Sequence, residues 1–220
     1  MAITPRERRL VPVMGTGHTY TLDGRPLVSV TRVIGSVLRA PELEQWYKRV
    51  GMQADAIRDE AAAFGKSVHA ALAAHARGDR LLDLDLPEQW RATVEAGRRW
   101  IDKHIAEVYA VEEPVASERY GYAGTPDLYG RRVGRKTPVI VDWKTTGALY
   151  PSHRAQLAAY RQAAKETYGM RPAERIIVRF SKDEPGRVAT YPLGHPETDF
   201  ALFSYLLGAY RILKTMEGGI

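Results

Sequence analysis

Cysteine is absent from this chain. That absence removes a disulfide scaffold, a zinc ribbon, an iron–sulfur cluster and a thiol nucleophile in one step. Any metal must be held by oxygen or imidazole, and a reducing cytoplasm is the expected location. Long apolar runs are also missing: nothing approaches the roughly 18 consecutive apolar residues of a membrane-spanning helix. The opening Met1-Ala2-Ile3-Thr4-Pro5-Arg6 has basic residues with no apolar segment behind them, so no secretory signal is expected. There is no internal repeat, no low-complexity tract and no linker-like stretch. The expectation is one domain over residues 1–220, with a lead-in and helical region at about 1–106, a sheet core at about 107–193 and a closing helix at 197–216.

What is present is enough apolar material, 45% of 220 residues, to bury a sizeable core. The 32 Lys and Arg exceed the 26 Asp and Glu by six. Such an excess suits an anionic partner such as nucleic acid, and equally suits plain solubility.

Along the chain, Thr19-Tyr20-Thr21-Leu22 and Pro26-Leu27-Val28 flank Asp23-Gly24, a hairpin signature. Ser29 or Thr31 can cap a helix from Val30 to Leu38. From Glu42 to Gly78, the residues Trp46, Val50, Met52, Ile57, Phe64, Val68 and Leu72 make a helical stripe, with Gly51 and Gly65 as interruptions. A second helix is expected from about Pro87 to Ala106, with Trp90, Val94, Gly97 or Arg98, and Ile101 on one face. Strand-like pieces follow at 108–111, 115–117 and 122–129. After the basic turn Arg131, Arg132, Arg135 and Lys136 comes Pro138-Val139-Ile140-Val141, a run suited to a strand buried on both faces. A helix over Pro151–Thr167, a hairpin of 175–180 with 188–191, and a helix over Glu197–Thr215 complete the order. Such an order predicts an α/β or α+β fold with a central mixed β-sheet flanked by helices.

The chemistry-bearing cluster is Asp127, Asp142 and Lys144. Residues i and i+2 of a strand share a face, so Asp142 and Lys144 project side by side. Asp127 lies across the basic turn, where pairing can bring its carboxylate near Asp142. Convergent carboxylates bind a hard divalent cation, which polarises a phosphoryl oxygen and acidifies a bound water. A nearby Lys can orient that water or neutralise developing charge. An ordinary ion pair at a strand end is the other reading of Asp142 and Lys144. His69 sits in an apolar helical stretch, as a core histidine or a ligand, and no His-Glu-x-x-His is present. Glu112, between two strand-like pieces, is a third acid or a solvated neighbour of Glu113. Gln156 and Tyr160 are i and i+4 on one helix face.

In order, Gly65-x-x-x-His69, Glu112, Gly124-x-x-Asp127, Asp142-x-Lys144 and Gln156-x-x-x-Tyr160 resemble the motifs of the PD-(D/E)XK nuclease superfamily. Their spacing looks like the RecB-like exonuclease branch, which includes phage and bacterial exonucleases and the mitochondrial genome-maintenance exonuclease. Tyr20-Thr21-Leu22-Asp23-Gly24 followed by Ser29-Val30-Thr31 is similar to openings in phage and bacterial members, and the resemblance covers about residues 18–180. It implies a restriction-endonuclease-like core and a Mg²⁺- or Mn²⁺-dependent deoxyribonuclease. An exonuclease on single-stranded DNA or free ends is expected, with a structure- or site-specific endonuclease and a non-catalytic nucleic-acid-binding module as alternatives. By resemblance, His69, Asp127, Asp142 and the Trp143 carbonyl would hold the metal. Lys144 would be the catalytic lysine, and Glu112 the acid of the first core strand, with Glu113 competing. Gln156 and Tyr160 would support the site and its DNA strand. Arg131, Arg132, Arg135, Lys136, Arg154 and Arg161 are candidates to track phosphates, and Tyr122 or Trp143 to stack on a base. No iron–sulfur cluster is implied, because its cysteines are missing. The resemblance places the protein in a bacterial or phage-infected cell, with recombination or replication proteins as partners.

Overall fold

The computed structural model describes residues 10–12, 19–38, 48–79, 86–181 and 184–218. Strand β1 (Leu10–Pro12) pairs with β2 (Tyr20–Leu22), which turns back into β3 (Arg25–Ser29). The turn is Asp23-Gly24, with φ of 50° and 81°. Two successive left-handed residues give a tight hairpin the twist its strands need, and Asp and Gly tolerate that conformation best. Ser29 then caps α1 (Val30–Val37): its hydroxyl accepts from the Arg32 amide at 3.1 Å.

Two long helices follow, α2 (Ala54–Arg77) and α3 (Glu88–His104). Gly65, expected as an interruption, lies within an unbroken α2, whereas Gly51 opens a short 3-10 turn at φ 65°. Phe64, Val68 and Leu72 of the expected stripe are buried, but Met52 and Ile57 face outward. Trp46 and a helix start near Glu42 lie outside the described residues. Gly97 faces α2, since a Cβ there would sit 2.6 Å from Leu72 Cδ2.

The remaining elements are β4 (Ile105–Val111), β5 (Val115–Ser117), β6 (Tyr122–Gly124), β7 (Leu128–Arg132), β8 (Pro138–Lys144), α4 (Pro151–Tyr168), β9 (Glu174–Phe180), β10 (Val188–Pro192) and α5 (Pro196–Glu217). They build two five-stranded sheets. One has the order β10-β9-β8-β7-β4 and is the mixed sheet expected at the centre. Its β8 and β9 run parallel, which demands a crossover, and α4 supplies it. The other has the order β1-β2-β3-β6-β5, where β3 pairs in parallel with β6 through Val28↔Tyr122. The strand-like stretch 108–129 is therefore shared between two sheets. Short strands carry no mark of which partner they will take, so this division was not legible in their composition.

Strand β8 is buried at every residue from Pro138 to Trp143. Val139, Val141 and Trp143 pack with Phe64, Val68 and Trp100 of the α2–α3 layer. Ile140 packs on the opposite face with Tyr122, Tyr160 and Phe203. Each such side chain contributes about 1.5–3 kcal/mol on burial, so β8 is fixed from both sides and carries its last residues to a defined place.

At the start of α4, the His153 Nδ1 accepts from the Tyr150 amide at 3.4 Å. Burial pushes this imidazole down to about 4, with the Lys144 charge adding to the effect. The unfolded chain binds the proton near pH 6.5 and the folded chain only near 4, so stability falls as pH drops through that window. Urea unfolding at pH 7 and pH 5 should show this loss. His153→Gln, which keeps an acceptor for the Tyr150 amide, should flatten it; an equally steep loss in the variant would refute the assignment.

Candidate active site

The pairing of three neighbouring strands sets three acids in a row. Val111 pairs with Leu128 across β4 and β7, and Leu128 pairs with Val141 across β7 and β8. One step further along each strand stand Glu112, Asp127 and Asp142. The Glu112 amide donates to the Asp127 carbonyl at 3.1 Å, extending the β4–β7 pairing to this level. Asp127 comes just before β7 rather than within it, and Asp142 lies inside β8, which runs on to Lys144.

Asp127 is the junction. Its Oδ1 lies 3.2 Å from His69 Nδ1, and its Oδ2 accepts from the Trp143 amide at 2.5 Å. Burial works to raise this carboxyl, but His69, Lys144 and the Trp143 amide outweigh it and hold it below the usual range. Burial likewise opposes charge on His69, while Asp127 and Asp142 raise it overall. The His69 ring also meets the buried Trp143 edge-on, with centroids 5.8 Å apart.

The two motif glycines are there for closeness. A Cβ on Gly65 would fall 3.0 Å from Thr145 Oγ1, so α2 lies against the end of β8 and His69, one turn on, reaches Asp127. A Cβ on Gly124 would fall 2.3 Å from Tyr160 Cε1. The Tyr160 ring therefore fills the space beside β6, and its hydroxyl accepts from Gln156 Nε2 at 3.0 Å. Burial and the nearby Asp142 raise the Tyr160 phenol well above its ordinary value, so it stays neutral. Tyr20 of the hairpin adds a brace, with its hydroxyl 2.9 Å from Thr125 Oγ1.

Lys144 Nζ lies 2.5 Å from Asp142 Oδ2. Burial opposes charge on Lys144, but the carboxylates of Asp142 and Asp127 raise it overall. Burial pushes the Asp142 carboxyl up, against the pull of Lys144. The donor set, carboxylate oxygens with one imidazole, fits a hard divalent cation. Among the described residues no three such side chains already converge on one point. Asp127 is engaged by His69 and the Trp143 amide, while Lys144 sits on Asp142.

Beside the row is an open pocket of about 440 Å³ lined by Gly65, Lys66, His69, Ala70 and Glu112. Burial and the Asp127 charge raise the Glu112 carboxyl. Its backbone is left-handed, φ 51°, rare for a residue that is not glycine. Glu113 turns instead toward Tyr168, so only Glu112 of the pair meets the pocket.

Other expected residues lie elsewhere. The basic turn sits at the opposite end of β8, roughly 13–20 Å from Asp142 at about 3.3 Å per residue, since Arg131 pairs with Pro138. There Arg131 binds Glu107, and Arg132 and Arg135 bind Glu174; Lys136 stays exposed. Arg154 bonds Asp199, and Arg161 donates to the Pro172 carbonyl, so both are committed within the protein. Base stacking by Tyr122 or Trp143 is corrected outright: both rings are fully buried, and the Tyr122 hydroxyl donates to the Ala159 carbonyl. Sequence reading passed over Lys66 and Thr145. Lys66 carried a signal, since it precedes His69 by three residues and shares its helix face. Thr145 carried none.

The sequence matches the model of the PD-(D/E)XK nuclease superfamily over residues 43–211. The chain belongs to that superfamily, and its mixed α/β architecture is the restriction-endonuclease-like fold. Nucleases of this superfamily generally use divalent metals and act on nucleic acid. No curated protein matches the chain significantly. Among solved structures, SSO0001 is similar at 14% identity over 84% of this chain and 75% of that one, with TM-score 0.44. A candidate exonuclease from Eubacterium rectale is similar at 10% identity over 71% and 69%, with TM-score 0.49. Among the described residues, no helix is long and apolar enough to cross a membrane.

Two substitutions test this geometry. Glu112→Gly relieves the left-handed strain and should raise unfolding free energy by about 1 kcal/mol, read from urea curves; an unchanged or lower value would count against strain. Gly124→Ala drives a methyl into Tyr160 and should cost about 1–3 kcal/mol. In the second case, Tyr160→Leu should recover part of the loss.

Proposed function

We propose that this superfamily member is a Mg²⁺- or Mn²⁺-dependent deoxyribonuclease of the RecB-like branch. It would act as an exonuclease on single-stranded DNA or free DNA ends, with residues 1–220 as one nuclease domain. The observation that carries the reading is the row Glu112, Asp127 and Asp142 at one level of three neighbouring strands, the first two just beyond the strand ends, with Lys144 against Asp142. An ordinary strand-end ion pair accounts for two of those residues but not for the aligned acids or for His69 on Asp127.

In this reading Asp127, Asp142 and His69 hold the cation together with the Trp143 carbonyl. When bound, the cation neutralises phosphate charge and lowers the pKa of a water. The chain's own residues do the positioning. Helix α2 delivers His69 to the Asp127 carboxylate, and the β8 backbone fixes that carboxylate through the Trp143 amide. Lys144 is held charged beside Asp142, where it orients the attacking water and offsets negative charge developing on the phosphate. Water attacks phosphorus, the bond to the 3′ oxygen breaks, and a 5′-phosphate and a 3′-hydroxyl remain. Glu112 supplies the third acid on the pocket side. Tyr160, buried behind Gly124, holds the Asp127 segment, and Gln156 supports Tyr160. Arg131, Arg132, Arg135 and Lys136 would meet only nucleic acid that extends to the far edge of the sheet.

End-labelled linear and circular DNA, single- and double-stranded, incubated with Mg²⁺, Mn²⁺ or EDTA, tests the proposal. Linear molecules should be degraded with metal and spared in EDTA, while circles persist. Cut circles would indicate an endonuclease; tight binding with no cleavage would indicate a non-catalytic module. Asp142→Asn and Lys144→Ala should each lower cleavage by about 10³-fold or more while circular dichroism stays native. An undiminished rate in either would overturn the assignment.

A further inference from the structure

The pocket beside the acidic row is larger than a cation requires. At about 440 Å³ it falls in the range that holds a small organic ligand, roughly one nucleotide unit. Its lining says which part of a nucleotide it suits. Gly65 and Ala70 leave the α2 side low, no Phe, Tyr or Trp is among the lining residues, and the one ring there, the His69 imidazole, is tied to Asp127 and packed edge-on against Trp143. Glu112 brings one member of the acidic row to the pocket wall, and His69 beside it reaches Asp127 at 3.2 Å. The one formal cation in the lining is Lys66. It precedes His69 by three residues on α2, stands exposed, and makes no ion pair among the described residues. A strand reaching Asp142 brings further phosphates with it, and an anionic pocket would repel them unless a cation stood at the rim.

We infer that this pocket receives the sugar and phosphate of one nucleotide next to the bond being cut, with Lys66 binding that neighbouring phosphate. The inference rests on the nuclease reading of the site and deepens it. Lysine suits the task because an ammonium is a compact charge on a flexible stem, which binds phosphate without demanding one orientation. Because Lys66 would meet phosphate and the one ring in the pocket is committed to Asp127, the contact is indifferent to the base. Lys66 is thus a substrate-positioning residue that favours strands of any sequence.

The test uses a fluorescein-labelled single-stranded oligonucleotide bound to the full chain in Ca²⁺, and its cleavage in Mg²⁺. Lys66→Ala should weaken binding about tenfold and reduce the slope of log affinity against log salt by about one phosphate contact. In cleavage the loss should fall on KM more than on kcat, by a similar factor for oligonucleotides of different base composition. Lys66→Arg should restore most of it. A neutral methylphosphonate at the phosphate next to the cleaved bond should weaken the wild type as much as Lys66→Ala does, and should leave Lys66→Ala unaffected. An unchanged salt slope in Lys66→Ala, or equal sensitivity of that variant to the methylphosphonate, would overturn the inference while leaving cleavage intact. A wild type that cuts no DNA in Mg²⁺ or Mn²⁺ but binds it through Lys66 would instead overturn the nuclease reading.

Discussion

The buried carboxylate of Asp127 ties α2, β4 and β8 together at one point. Through one oxygen it holds His69 of α2, and through the other it holds the Trp143 amide of β8. Its own carbonyl receives the Glu112 amide at the end of β4. A charge taken out of water is tolerable only when partners surround it, and here the partners are the pieces of the site. The arrangement that makes this carboxylate affordable in the interior is also the one that lines up Glu112, Asp127 and Asp142.

Two close approaches make that junction reachable. Gly65 lets α2 lie against Thr145 at the end of β8, and Gly124 leaves room for the Tyr160 ring. The second sheet takes part as well: β6 carries Gly124 into the Asp127 segment, and Tyr20 of the hairpin binds Thr125. The N-terminal hairpin is thus a support for the acidic row from outside the central sheet. Strand β8, buried on both faces, holds its Asp142–Lys144 end in place.

The surplus of six positive charges proves to be distributed differently from its first reading. Arg131, Arg132 and Arg135 neutralise Glu107 and Glu174 at the far edge of the sheet. Arg175, almost wholly buried, shares Asp199 with Arg154 and fastens the first turn of α5 to β9. The cation beside the site is instead Lys66, a residue in no basic cluster. Charge counted along a chain does not say which cations are already spent on internal partners.

The order of motifs was legible in the sequence because each obeys a local rule. Alternation on a strand pairs Asp142 with Lys144, helical spacing pairs Gly65 with His69 and Gln156 with Tyr160, and the apolar run before Asp142 announces a doubly buried strand. The Asp23-Gly24 hairpin and the Ser29 cap follow from backbone preference alone. Only the tertiary structure decided the rest. Glu112 rather than Glu113 meets the pocket because a left-handed backbone at residue 112 turns it that way. Trp143 is a core residue because α2 and α3 close over its face of the central sheet, Tyr122 because β6 packs against α4 and α5, and β6 joins the second sheet because it pairs with β3, almost a hundred residues earlier. Local periodicity fixes which side chains share a face; what that face meets depends on contacts between residues distant in sequence, and those appear only when the chain is folded.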